Sequence, residues 1–310
     1  MTTAQTQPAP VSDRAGILDV LRGIAILGIF LNNIFGFTGY GGINEKFKAS
    51  LPTYPADSIL SFLQTVFVEG KFYSLFSLLF GIGFSIILIN NQQKGINGLR
   101  IFYRRLAILV MIGAIHLLLF WDGDILLLYG IIGMVLPLFR NCSDKTLLKW
   151  AVCLILSPIL IDIIEILLQW TPGELLRPFA FAIDAKNALP DDENTAFYLY
   201  KAGSGWHEFK VWQEPAFFYR YAYLLDNDRI PKVLGMFLIG FVAGRKMMFK
   251  NLTEYKPLFK KLLLWGFVIG LPASFSLAWF ERDGRDVYKS WWGMMDTIFY
   301  AISVVPLSLA

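Results

Sequence analysis

Apolar residues in this chain come in long runs separated by short polar breaks, not in the alternation that marks half-buried strands. A membrane-crossing helix needs about 20 mainly apolar residues. Runs of that kind occupy 16–36, 72–91, 101–121, 125–139, 150–169, 230–248, 262–280 and 292–310, the fourth being short. The pattern predicts an all-α polytopic transmembrane helical bundle of about eight spans. The stretch SILSFLQTVFVEG (58–70) is too short and polar to cross and is expected at the interface. Residues 170–229 form one long segment rich in Trp206, Trp212, Phe217, Phe218, Tyr219 and Tyr221. So long a connection is rarely structureless. It is expected to be an extracytoplasmic cap or a set of interfacial helices, or else to place its rings in an aromatic belt.

Composition agrees with lipid as the solvent. Of 310 residues, 55% are hydrophobic and 17% charged, and the mean hydropathy is +0.52; a soluble domain carries about 25% charged residues. The net charge of +4 is not gathered on one soluble face, so no nucleic-acid partner is expected. Lys and Arg mark the cytoplasmic loops. Lys94, Arg100, Arg104 and Arg105 follow the second span, Arg140, Lys145 and Lys149 the fourth, and Arg245, Lys246, Lys250, Lys256, Lys260 and Lys261 the sixth. Simple alternation puts all three on one side and the N-terminus in the cytoplasm. Asp122, Asp124 and the balanced ERDGRD stretch (281–286) fall on the other side. Residues 1–13 are expected to be a disordered tail without signal-peptide character, and 14–310 a single transmembrane domain. Cys142 and Cys153 imply no disulfide framework, and no metal is expected. No phosphate-binding loop, nucleophile elbow or zinc-protease motif occurs.

Ionisable groups at membrane depth are costly and are functional candidates. In the first span Asp19 and Arg22 can pair on one face, and Arg22 and Asn33 share a face about 16 Å apart along the axis. The third span repeats this spacing with Arg105 and His116. Arg104 can snorkel to the headgroups; Arg22 lies deeper in its apolar run. His116 reads either as a hydrogen-bonded packing residue or as a general base oriented by a carboxylate of the Asp122-Gly123-Asp124 turn. Asp124 can also cap the fourth span, and both roles are compatible. Asp162, Glu165 and Gln169 share one face of the fifth span, suited to pairing with a buried cation, lining a cavity or conducting protons; Asp296 in the eighth is a weaker case. The glycines of Gly81-Ile82-Gly83 and Gly240-Phe241-Val242-Ala243-Gly244 suit close helix packing.

Four stretches carry a resemblance: LDVLRGIAILGIFLNNI, LFSLLFGIGFSI (75–86), IHLLLFWDGDILLLYGIIGM (115–134) and LGMFLIGFVAGR (234–245). The chain resembles the bacterial YeiB-like family of membrane proteins over nearly all of its length after residue 14. Members of that family continue with further C-terminal helices, so the resemblance implies a longer chain in a bacterial cytoplasmic membrane. That family is similar in turn to transmembrane acyltransferases such as heparan-α-glucosaminide N-acetyltransferase, through the pattern Asp19-Val20-Leu21-Arg22-Gly23-Ile24-Ala25 with Asn33 downstream. The resemblance implies transfer of an acyl group from cytoplasmic acetyl-CoA or another acyl-CoA to a glycan or small-molecule acceptor outside. Arg22, Arg104 and Arg105 would hold the donor phosphates, Asn33, His116 and Asp124 would carry the chemistry, and Asp19, Asp122, Asp162 and Glu165 would line the substrate path. In the eukaryotic enzyme a catalytic His closely follows the Asn. No His lies between Asn33 and His116 here, so either His116 takes the role from another helix or the chemistry is altered. The alternative is a small-molecule or lipid transporter without covalent chemistry. Expected partners are membrane lipids, acyl-CoA, the acceptor and, among proteins, a second copy of the chain.

Overall fold

A computed structural model describes residues 16–187, 205–282 and 289–310. The tail (1–13) and most of the ERDGRD stretch lie outside the described residues. Every regular element among those described is helical. In chain order they are α1 (Gly16–Phe37), α2 (Glu45–Ser50), α3 (Tyr54–Phe67), α4 (Lys71–Gln93), α5 (Gly98–Leu119), α6 (Leu126–Gly133), α7 (Asp144–Leu168), α8 (Arg177–Lys186), α9 (Trp206–Gln213), α10 (Ala216–Asp226), α11 (Arg229–Arg245), α12 (Leu252–Arg282) and α13 (Trp291–Leu309). Side-chain oxygens open several of them. Asn97 accepts from Leu99 N at 3.1 Å and Arg100 N at 3.2 Å, Ser143 from Thr146 N at 3.2 Å, and Ser290 from Gly293 N at 3.3 Å. Each satisfies amide groups that a helix start leaves without an internal partner.

The chain is a polytopic helical membrane protein. Among the described residues six helices are long and apolar enough to cross a membrane. Their outward faces carry large apolar side chains such as Ile24, Leu27 and Phe30 on α1 and Leu160, Ile164 and Leu167 on α7. Apolar area on that scale suits a lipid surface. All eight expected runs fold as helix, but two are shorter than expected. The run 125–139 divides into the eight-residue α6 and a 3₁₀ turn over Leu136–Phe139, because Pro137 has no amide hydrogen to give and disfavours helical backbone before it. The sixth run yields α11 with 17 residues.

The stretch 58–70 packs against the bundle. It forms α3 and turns through Val68-Glu69-Gly70 directly into α4. Its lower end enters the bundle: Val66 is fully buried, and Ser274 Oγ on α12 donates to Val66 O at 2.8 Å. Its polar Gln64 finds a partner on α1, Nε2 donating to Asn32 O at 3.0 Å. Gly70 has φ 77°, and an added Cβ would meet the Tyr300 hydroxyl at 2.7 Å. The turn therefore needs glycine for both backbone and space.

The core is built on α11, which lies between α4 and α7. Phe80 stacks on Phe237 with centroids 4.4 Å apart, and Phe84 meets Phe241 at 4.8 Å. Two glycines permit this approach. A Cβ on Gly81 would sit 2.0 Å from Phe237 O, and one on Gly240 would sit 2.0 Å from Leu78 O. The backbones of α4 and α11 thus touch, as small-residue faces allow. Around this axis α1 packs on α4, α5 and α6 form a hairpin, and α12 pairs with α13. At the end where α11 finishes, Arg245 donates to Cys142 O at 2.7 Å and to Arg140 O, joining two of the three basic loops.

Candidate functional site

The turn between α5 and α6 is fixed by one carboxylate. Asp124 is 3% exposed; its Oδ1 accepts from Leu127 N at 2.8 Å and starts α6, while its Oδ2 lies 2.8 Å from His116 Nδ1. A carboxylate accepts, so His116 Nδ1 donates to Asp124 and Nε2 is the ring nitrogen left for another partner. The His116 side chain remains 36% exposed. Both roles foreseen for Asp124 are therefore present together.

Helices α9 and α10 fix the same turn. Arg220 on α10 donates from Nε to Asp124 O at 2.8 Å and from Nη2 to Gly123 O at 3.1 Å. Gln213 Nε2 on α9 donates to Leu117 O on α5. At the end of α10, Asp226 is buried between the Arg177 guanidinium and the amide of Gly173, which donates at 2.6 Å. In the turn itself burial pushes the Asp122 carboxyl above its usual range, against the opposing pull of the Arg220 guanidinium.

These elements enclose a cavity of about 300 Å³. Asn32 and Asn33 enter from α1, Gly70, Phe72 and Tyr73 from the start of α4, His116 from α5, Trp121 and Asp124 from the turn, and Arg220, Tyr223 and Arg229 from α10 and α11. Sequence spacing named Asn33, His116 and Asp124, and all three meet here. Asn32 Oδ1 also lines the cavity and is buried without a hydrogen-bond partner. Arg229 donates from Nη1 to the Tyr300 hydroxyl at 2.7 Å and lies 4.6 Å above the Tyr73 ring. Sequence reasoning missed both arginines and Asn32. The available signal was an arginine among the aromatic residues of FFYRYAY, within a segment read only for its rings.

A second cavity of about 210 Å³ lies further along the same helices toward the basic loops. Arg22 from α1 and Arg105 from α5 line it together with Phe76, Phe80 and Phe84 of α4. Arg104 does not line it. Arg22 is held by Asp19, Nη1 to Oδ1 at 2.8 Å, as the spacing predicts. Both cavities lie on α4 and are flanked by α1 and α5. From Arg22 to Asn33, and from Arg105 to His116, is about 16 Å of helix rise.

Asp19, Asp122, Asp162 and Glu165 line neither cavity. Glu165 is buried on α7 near Asp228, Asp162 and Lys289, away from the His116 site. Glu165 Oε1 and Asp162 Oδ2 are buried without hydrogen-bond partners. Gln169 ends α7, donating to Ile166 O at 2.8 Å and Lys289 O at 3.3 Å. Among the described residues no group of His, Cys, Asp and Glu is placed to hold a metal ion.

No family model matches the chain, and no solved structure matches it. Three curated proteins do. The chain is 32% identical over 287 residues to the uncharacterised protein YxaH of Bacillus subtilis (strain 168), covering 86% of this chain and 67% of YxaH. It is 34% identical over 149 residues to an uncharacterised 39.9 kDa protein from the amylase 3′ region of Bacillus acidopullulyticus, covering 48% of this chain and 40% of that protein. It is 40% identical over 125 residues to the uncharacterised protein YeiB of Escherichia coli (strain K12), covering 40% of this chain and 30% of YeiB. The chain therefore belongs to the YeiB-like family, together with YxaH.

Proposed function

We propose that this protein is a membrane-embedded acyltransferase. In this reading it takes an acyl group from cytoplasmic acyl-CoA and delivers it to an acceptor at the outer face of a bacterial cytoplasmic membrane. The observation that carries the reading is the meeting of Asn33, His116 and Asp124, from three separate elements, in one cavity that shares α4 with an arginine-lined cavity below it. Arg22 and Arg105 suit the phosphates of a CoA. The rise of about 16 Å between the two ends is comparable to an extended pantetheine arm.

At the outer end the acceptor amine or hydroxyl attacks the thioester carbonyl carbon. His116 Nε2 takes the proton that the nucleophile loses, and Asp124 stabilises the resulting imidazolium and holds the ring. The Asn33 amide donates to the oxyanion of the tetrahedral intermediate. Collapse breaks the C–S bond, and the proton on His116 passes to the departing thiolate. The topology has the N-terminus and the three basic loops inside. It is supported by the K/R bias and by the hydrogen bonds of Arg245 that tie two of those loops together.

A transporter is the second reading, favoured by the buried Glu165 Oε1 and Asp162 Oδ2 that lack partners on α7. Calorimetric titration of the purified protein with acetyl-CoA separates the two. The enzyme reading expects binding, weakened roughly 10- to 100-fold in Arg22→Ala and in Arg105→Ala, since each removes a charge-assisted phosphate contact. Absence of binding by acetyl-CoA and longer acyl-CoAs at millimolar concentration would contradict it.

A further inference from the structure

We infer that the acceptor of the outer cavity carries an anionic group, a carboxylate, phosphate or sulfate, held by Arg220 and Arg229; this rests on reading that cavity as the acceptor site. The cavity is lined by two guanidinium groups and one carboxylate, and the carboxylate is committed to His116 and to the amide of Leu127. Among the described residues neither arginine has a carboxylate oxygen within ion-pair distance. Their partners are neutral. Arg220 spends two of its donors on the carbonyls of Gly123 and Asp124, and Arg229 spends two on the hydroxyls of Tyr300 at 2.7 Å and Tyr223 at 3.4 Å. A guanidinium has five N–H donors; Arg220 keeps three, and Arg229, which the Tyr73 side chain also engages, keeps two.

Three other cations near the site and in the loops are paired: Arg177 with Asp226, Lys289 with Glu174, and Arg245 with Asp144. Asp122 and Asp124 act on Arg220 only at a distance, so neither guanidinium has a counter-charge in direct contact, and an anion bound between the two would supply one. Tyr223 sets the geometry: its ring lies 5.5 Å from the Arg220 guanidinium, and its hydroxyl accepts from Arg229. Both cations line the same cavity as Asn33 and His116. An acceptor anchored there by its anionic end would present its amine or hydroxyl to the base.

The same chemistry can come from a soluble sugar phosphate or from a lipid headgroup, and paired probes tell them apart. Binding is measured by calorimetry, without acyl-CoA, in nanodiscs of phosphatidylcholine. One pair is glucosamine 6-phosphate against glucosamine; the other is dihexanoyl phosphatidic acid against dihexanoyl glycerol. In at least one pair the phosphate-bearing probe should bind about tenfold or more tighter than its neutral counterpart. That preference should vanish in Arg220→Gln and Arg229→Gln and survive in Arg220→Lys, which keeps the charge. A preference confined to the sugar pair identifies a soluble anion, and one confined to the lipid pair a headgroup. Equal binding of charged and neutral probes by the unmodified protein overturns the inference, even if the variants fail to fold. A preference that persists in both glutamine variants overturns it too. Because no donor is present, failure of acyl transfer would not disturb this result, and failure here would leave the acyl-CoA titration standing.

Discussion

Replacing His116 with alanine is expected to lower acyl transfer by about 10²–10⁴-fold, the usual contribution of a positioned general base, while acyl-CoA affinity stays nearly unchanged. The donor phosphates are proposed to bind at Arg22 and Arg105, at the other end of the helices from His116. Asp124→Asn should cost less turnover, because it touches His116 and not the substrate. It should also lower stability modestly, since an amide oxygen replaces the carboxylate that caps α6. A packing histidine gives the opposite pattern. Yield and melting temperature would fall in His116→Ala while each surviving folded molecule kept its activity. Steady-state rates normalised to folded protein, measured beside acyl-CoA binding, decide between the two.

The largest stability effect is expected at the crossing of α4 and α11. In Gly81→Val, and even in Gly81→Ala, the new Cβ would lie 2.0 Å from Phe237 O, which is backbone and cannot rotate away. Relief requires the two helices to part by on the order of 1 Å, in an interior packed like an organic crystal. Parting them opens the Phe80–Phe237 stack and the Phe84–Phe241 contact at the centre of the core. The cost should be at least about 3 kcal/mol, the upper end of ordinary overpacking. Gly23→Ala is the control: no atom lies within 4 Å of its added Cβ. It should be neutral, or stabilising by about 0.5–1 kcal/mol through the better helix former. Thermal unfolding of the purified variants should show Gly81→Ala far below Gly23→Ala.

What the sequence revealed follows from what is local. Spans, small-residue faces and the Asp19–Arg22 pair depend on spacing along one helix, and helical geometry converts that spacing directly into position. The His116–Asp124 bond was legible because a tight turn leaves the two residues little choice of neighbour. The placement of α3 was not legible. Whether Gln64 meets water or the Asn32 carbonyl depends on α1, which periodicity within 58–70 does not contain. Arg220 and Arg229 were hidden for a similar reason. They reach the site only because α9 and α10 fold back over the end of α5, through bonds to Leu117 O, Gly123 O and Asp124 O. Asp162 and Glu165 do share a face, as their spacing requires. That face meets the start of α11 and the Lys289 region rather than either cavity, and only tertiary packing decides this.

The central claim is that an acyl group crosses from one end of α4 to the other while its carrier does not. The measurement uses sealed proteoliposomes with acetyl-CoA outside, labelled separately on the acetyl group and on the adenine, and a mixture of amino sugars and sugar phosphates enclosed. Acetyl label should appear inside on an enclosed acceptor, adenine label should stay outside, and His116→Ala should abolish the transfer. Entry of both labels together, or of neither, would contradict the account.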